Sequence, residues 1–196
     1  MAQPSPPNFD RIFTDGVTGS FLISVEEIGK LGLPSGRVFA CDPFMELDQD
    51  GPVAFGAIVA PGSYPVHVAR VQRLDSPYPR VVAVKLAIAD EPVTAWELDT
   101  ERPGYGVDAG AGCFIDLDSV AVFNRLHQAG DESPVRRIFR STTSTARASI
   151  VTNATSGHSM AIFSTGLGDG YYPTWIGRSA SRQVACFITQ FLDPDA

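Results

Sequence analysis

Aspartates at glycine-rich turns are the residues whose type and spacing best suit chemistry. The stretch "GYGVDAGAGCFIDLD" at 104–118 places Asp108 among glycines and Asp116 at the end of a short apolar run. A second acid–glycine stretch, "GLGDGYYP" at 166–173, offers Asp169 beside two tyrosines. Because glycine lets backbone approach backbone or ligand closely, we expect the two stretches to face each other. Asp108, Asp116 and Asp169 are then predicted to serve as a general base or as an anchor for a cationic amine.

Neighbouring side chains are predicted to complete a pocket for a small molecule around these carboxylates. The candidates for substrate binding are Tyr105, Tyr172, Asp42, Phe114 and Trp175. The two tyrosines would supply walls and hydroxyl contacts, and strand alternation places Phe114, Asp116 and Asp118 on one face. Carboxylates that converge raise the pKa of at least one of them unless a cation offsets their repulsion.

The same aspartates allow other interpretations. Asp108 and Asp169 could be turn formers, and Asp118 is typical of a helix cap. No cofactor is predicted, but carboxylates such as Asp42 are hard oxygen ligands, so a divalent-metal protein is an alternative. A third class is a binding module of the immunity or antitoxin kind, whose acidic surface covers a basic protein partner. The small-molecule enzyme is preferred because aromatic-flanked acids at glycine turns favour a pocket.

Several familiar signatures are incomplete in this chain. "ELDQDG" at 46–51 begins like a calcium loop, but Ala57 stands where the twelfth-position glutamate belongs. There is no G-x-S-x-G elbow, and His67, His127 and His158 lack zinc-site spacing. His67, in "YPVHVAR", is therefore predicted to be an ordinary strand residue.

Composition restricts the class of protein and its partners. The 196 residues are 44% hydrophobic and 19% charged, which is typical of one folded domain. A net charge of −7 argues against nucleic acid or an anionic membrane as the main partner. The first residues resemble no export signal, no apolar run is long enough to span a bilayer, and the three cysteines show no CxxC spacing. We therefore expect a cytoplasmic protein with reduced thiols.

Short apolar runs separated by Pro/Gly turns indicate a mainly β fold. These runs lie at 20–24, 36–41, 53–60, 64–72, 80–89, 94–99, 136–140, 148–153, 160–164 and 184–191. Only 119–129 has helical spacing with caps: Asp118 or Ser119 at its start and Gly130 after it. The prediction is an antiparallel β-sandwich or partly open barrel with one principal helix. A flexible N-terminal arm, 1–17, is expected to precede a single β-rich domain, 18–196.

Five motifs in order carry a resemblance to a known family. They are "LPSGRVFACDP", "PGSYPVHVAR", "DEPVTAWEL", "GYGVDAGAGCFID" and "STGLGDGYYPTWIG". In this the chain resembles, from about Leu33 to Phe191, a bacterial family labelled domain of unknown function 4241. The resemblance implies that Asp42, Asp108, Asp116, Asp169 and Tyr172 belong to the family's motifs, and it brings no established activity. Arg178–Ser179 and Gln190 stand where the family pattern has acids, which implies altered activity if its site needs the last carboxylate.

Overall fold

The short apolar runs form strands of two antiparallel sheets. The computed structural model describes residues 5–47, 51–128 and 146–192. Its helices are α1 (Phe9–Ile12) and α2 (Val120–Gln128). Its strands are β1 (Gly16–Thr18), β2 (Phe21–Leu33), β3 (Val38–Cys41), β4 (Gly62–Arg73), β5 (Arg80–Ala87), β6 (Ala95–Leu98), β7 (Gly104–Val107), β8 (Ala111–Asp116), β9 (Ala148–Thr152), β10 (Ser159–Ser164), β11 (Gly170–Arg178) and β12 (Val184–Gln190).

The two sheets differ in size and are not closed into a barrel. The large sheet has the order β1-β2-β4-β5-β12-β11-β6, and β7 also pairs with β11. The small sheet has the order β3-β8-β10-β9. The mainly β, antiparallel prediction is therefore confirmed.

The main core lies between the two sheets. Val66 and Val68 of β4 are buried there, whereas His67 between them points to the opposite face, as strand alternation requires. From the small sheet, Phe114 and Phe163 meet edge to face with their ring centroids 5.5 Å apart. The two inner faces thus bury apolar side chains against each other, as in a sandwich.

Each sheet is also covered on its outer face. Helix α2 packs Phe123 against Cys113 and Ile115 of the small sheet. On the large sheet, Phe9 of α1 is 4% exposed, and its ring centroid lies 4.5 Å from that of Trp96. The described part of the N-terminal segment is therefore docked on the sheet, and its mobility stays a prediction.

The helix prediction is confirmed, and Asp116 caps the 3₁₀ turn that precedes the helix. A 3₁₀ turn, Leu117–Ser119, leads into α2, and the side chain of Asp116 accepts a hydrogen bond from the backbone N–H of Asp118 at 2.9 Å. The predicted stop, Gly130, lies outside the described residues. In the parts of the chain that the structure describes, neither helix is long and apolar enough to cross a membrane.

Two of the predicted strand runs have no regular strand among the described residues. The run 53–60 is not a regular strand: it follows the edge of β3, where Phe55 N donates to Val38 O at 2.9 Å, and bridges at Ile58. Gly56 interrupts the run, and Pro52 and Pro61 bound it, which explains why it does not continue the ladder. The run 136–140 lies outside the described residues.

Candidate functional site

The two acid–glycine stretches face each other, which confirms that part of the sequence prediction. Strands β7 and β11 pair antiparallel, with Gly170 opposite Val107, so the next positions bring Asp169 and Asp108 to the same edge. Both aspartates are exposed. We call this surface, made of 106–109 and 167–171, the acid–glycine edge.

The buried carboxylate of Asp42 holds the backbone of the acid–glycine edge in place through hydrogen bonds. This carboxylate accepts hydrogen bonds from the backbone N–H groups of Phe44 at 2.9 Å, Asp108 at 3.0 Å and Ala109 at 2.8 Å. A carboxylate with three backbone donors holds the turn in place and keeps little capacity for a ligand.

Asp116 does not join Asp108 and Asp169. It lies at the opposite end of β8 from Ala111, about 16 Å away at the usual strand rise. Its fully buried carboxylate accepts hydrogen bonds from the backbone N–H of Ser35 at 3.1 Å, from Ser35 Oγ at 2.8 Å and from the backbone N–H of Asp118. Asp116 thus ties the turn before β3 to the start of the helix.

The predicted aromatic walls are buried beneath the acid–glycine edge instead of lining an open pocket. Tyr105 and Tyr172 pair across β7 and β11, but both rings are buried between the sheets, where burial raises the pKa of each hydroxyl. Tyr172 donates to Gly168 O at 2.9 Å, and Phe114 is fully buried in the same core. The aromatic residue exposed at the edge is Tyr171, at 61%.

The carboxylates of the predicted set do not gather at one place. Among the residues that the structure describes, no group of three or more His, Cys, Asp or Glu side chains is placed to hold an ion. Asp42 and Asp116 are engaged by backbone donors, which leaves Asp108 and Asp169 as the accessible carboxylates of the predicted set.

A hydrogen-bonded Ser–His pair is also present, but it is buried and inaccessible to a substrate. Ser119 Oγ lies 2.7 Å from His158 Nδ1, a distance suited to a nucleophile and its base. Ser119 is fully buried, so a substrate has no path to its oxygen. This hydrogen bond joins the start of α2 to the turn before β10.

A groove of about 800 Å³ opens on the outer face of the large sheet. Its walls are α1 on one side and residues 88–93 on the other. One row of its floor is built from the small side chains of Ala87 and Cys186, and the row continues to Gly177. A Cβ at Gly177 would lie 2.8 Å from the sulfur of Cys186, so a larger residue there would displace neighbouring side chains. Small residues across three strands therefore make the depression.

Two polar side chains rise from the next row into this groove. His67 and Lys85 are direct cross-strand partners on β4 and β5. Lys85 Nζ lies 4.7 Å from the ring centroid of Phe13, a cation–π distance. Within 5–47, 51–128 and 146–192, neither the ammonium of Lys85 nor the ring of His67 has a hydrogen-bond or ion-pair partner. These two groups are therefore available to a ligand.

The groove controls the protonation of its own groups. Burial and the positive charge of Lys85 lower the pKa of His67, against a smaller opposing effect of Glu27. His67 is therefore neutral at physiological pH and can accept a proton. Burial raises the pKa of the Cys186 thiol to about 11, so Cys186 is an apolar floor residue rather than a nucleophile.

Aromatic side chains give the groove an apolar interior. Phe9, Phe13 and Trp96 line it. Trp175, predicted to bind substrate, is 3% exposed beneath Phe9, with the two ring centroids 6.3 Å apart. It supports the groove from the same face of the sheet without lining it.

Sequence reasoning missed this groove. The sequence predicts an ordinary strand residue at His67 and indicates no role for Lys85. A usable signal was present: Lys85 interrupts the apolar run "RVVAVKLAIA", and it is one of two lysines in the chain. A single charge inside a central strand must face solvent or a ligand, because its burial without a partner is costly.

Comparison with known proteins identifies a family and no activity. The family model described as "Protein of unknown function (DUF4241)" matches residues 31–189, which confirms the resemblance seen in the motifs. No curated protein and no solved structure matches the chain. The matched range includes the floor of the groove and the acid–glycine edge, whereas α1 precedes it.

Proposed function

The chain belongs to the DUF4241 family, whose description states no activity, and from its own geometry we propose that it binds and acts on a small organic acid in the groove. The observation that carries this proposal is the pair Lys85 and His67 on an otherwise apolar floor, neither with a hydrogen-bond or ion-pair partner among the described residues. A lysine in a concave site attracts a carboxylate more strongly than a lysine on open surface, because less water screens the charge.

The two polar groups have separate tasks in this proposal. Lys85 binds the anionic oxygen of the ligand, and the ligand's apolar body packs against Phe13 and Trp96. Neutral His67 is the proton acceptor: the C–H bond next to the carboxylate breaks, the proton passes to the imidazole ring, and Lys85 stabilises the negative charge left on the carboxylate oxygens. Asp108 and Asp169, the general bases expected from sequence, do not line the groove, and their catalytic role stays a prediction.

Intrinsic fluorescence tests the binding step. The only two tryptophans of the chain, Trp96 and Trp175, lie on this face, so a ligand in the groove should change their emission. We expect 3-phenylpropionate to produce a saturable change and Lys85→Met to weaken its binding at least tenfold. The matched control is Lys30→Met, which removes the other lysine, an exposed one on β2. Equal affinities for the two variants would contradict the proposal.

The acid–glycine edge supports a second candidate, a surface that binds a basic protein. Leu167 and Tyr171 are 53% and 61% exposed beside Asp108 and Asp169. An aromatic and an aliphatic side chain among charges is a composition typical of protein interfaces. This candidate places the partner at the edge and leaves the groove unoccupied.

Matched baits separate the second candidate from nonspecific attraction. Wild type and the Asp108→Asn/Asp169→Asn double variant are used to capture proteins from an extract of the source organism. We expect one basic protein on the wild type alone, and its binding should survive Lys85→Met. Identical capture by both baits would remove this candidate.

A further inference from the structure

We propose that the ligand of the groove is dipolar and carries an amine as well as a carboxylate. This inference rests on the proposed function and specifies its substrate class. It follows from the charges of the groove: one positive side chain, Lys85, faces three negative ones, Asp10, Asp90 and Glu91. With His67 neutral the lining is negative overall, so a ligand with an anionic group alone meets repulsion that a dipolar ligand avoids.

The acids lie on both walls of the groove. Asp10 belongs to α1, and Asp90 and Glu91 belong to the facing segment after β5. In the described part of the chain, the carboxylates of Asp10 and Asp90 have no ion-pair or hydrogen-bond partner. Glu91 accepts a long hydrogen bond of 3.4 Å from Ser181 Oγ. The rim therefore holds negative charge that the protein itself does not neutralise.

The positive charge of Lys85 and the negative charges of the acids are separated within the groove, which gives it one positive and one negative end. Lys85 Nζ makes no ion pair with Asp10, Asp90 or Glu91, although all line the same groove. Its charge rests against the ring of Phe13 instead. A ligand that places its carboxylate at the floor and its ammonium at the rim satisfies both ends at once. The aromatic walls suit an apolar side chain, so the class of ligand is an amino acid with an apolar body.

Three compounds with one common body test the inference. L-Phenylalanine carries both charges, 3-phenylpropionate only the carboxylate, and 2-phenylethylamine only the amine. Tryptophan fluorescence titration of the full-length protein should show that phenylalanine binds at least tenfold more tightly than either other compound. Equal binding of 3-phenylpropionate and phenylalanine would overturn the dipolar inference and leave the carboxylate site standing. Absence of any binding, or binding insensitive to Lys85→Met, would overturn the proposed function itself.

Charge-neutral rim variants give an effect of opposite sign for two of the compounds. Asp90→Asn/Glu91→Gln should weaken phenylalanine binding at least fivefold and strengthen 3-phenylpropionate binding, because repulsion of the carboxylate is removed. Misfolding cannot produce these opposite changes, since it would weaken the binding of both compounds. The control, Asp75→Asn/Glu101→Gln, removes two exposed charges away from the groove and should change neither affinity. Equal changes in both double variants would show a general charge effect and contradict the inference.

Discussion

Buried and exposed aspartates of this chain differ in what they bind. Asp42 accepts three backbone N–H groups, whereas the carboxylates of Asp108 and Asp169 face solvent at the acid–glycine edge. The same residue type therefore serves the backbone in one place and remains free in the other. Burial and hydrogen bonding distinguish the two roles, and residue type alone does not.

Asp42→Ala should destabilise the protein much more than Asp108→Asn. The first change leaves three backbone donors without their acceptor, and each such loss costs about 1–3 kcal/mol when water cannot replace it. The second change is at an exposed site, where substitutions usually stay within about 0.5 kcal/mol. Urea denaturation of both variants measures the difference. Similar losses would mean that the Asp108 carboxylate also holds the fold.

His67 should respond to its neighbour Lys85. Because the lysine's charge contributes to lowering the pKa of His67, Lys85→Met should raise that pKa, although burial, the larger cause, remains. An NMR titration of the His67 ring in both proteins measures this shift, with Lys30→Met as the control. An unchanged pKa in Lys85→Met would show that the two groups do not interact across the strands.

The lowered pKa of His67 also has a consequence for stability. The folded state favours the neutral ring, so the stabilisation is present above the ordinary histidine pKa of about 6.5 and is lost as pH falls through the lower, folded-state pKa. We expect thermal stability to fall between about pH 7 and pH 5 more in the wild type than in His67→Gln. Parallel decreases would assign the acid sensitivity to other groups.

At the scale of elements, glycine explains why β7 and β11 can approach. A Cβ at Gly104 would lie 2.2 Å from the carbonyl oxygen of Tyr172, so a side chain there would separate the strands. The expectation that glycines allow close backbone approach is thus met within the pairing itself. The short helix α1 is the other decisive element, because it forms one wall of the groove.

Phe9→Ala should both destabilise the protein and change the groove. Removal of a buried phenylalanine typically costs about 3–5 kcal/mol, and the lower figure applies here because α1 can detach on its own. Since Phe9 contacts Trp96 and Trp175, we expect their emission to shift to the red. Val17→Ala, at an exposed residue of the same segment, is the control and should change neither property. Unaltered emission in Phe9→Ala would indicate that the N-terminal segment is undocked in solution, as the flexible-arm prediction has it.

At the scale of the whole molecule, local sequence patterns predict the fold but do not predict the groove. Alternation in β4 and the spacing of 119–129 depend on neighbours in sequence, so both were predictable. The facing of Asp108 and Asp169 was predictable because each lies beside glycines at the end of a strand. The groove instead needs β4, β5, β12 and β11 side by side, with Ala87, Cys186 and Gly177 in one row. Nothing in any single strand distinguishes such small residues from ordinary ones.

The layered arrangement also places the three thiols on different sides of the molecule. Cys41 and Cys113 lie between the small sheet and α2, with sulfurs 3.5 Å apart, while Cys186 lies under the groove. All three are free and buried, so native labelling by a thiol reagent should be slow. Cys186 should nevertheless react first, because its sulfur is reached by detachment of α1 rather than by opening of the core.

A ligand in the groove should then protect one thiol and not the others. Saturating L-phenylalanine is expected to slow the labelling of Cys186 severalfold and to leave the rates of Cys41 and Cys113 unchanged, as followed by mass spectrometry of peptides. In Lys85→Met this protection should disappear, since the ligand no longer binds. Equal protection of all three thiols would mean that the compound stabilises the molecule globally from another site. Rapid labelling of Cys41 and Cys113 without ligand would contradict the layered core itself, because both thiols are then open to solvent.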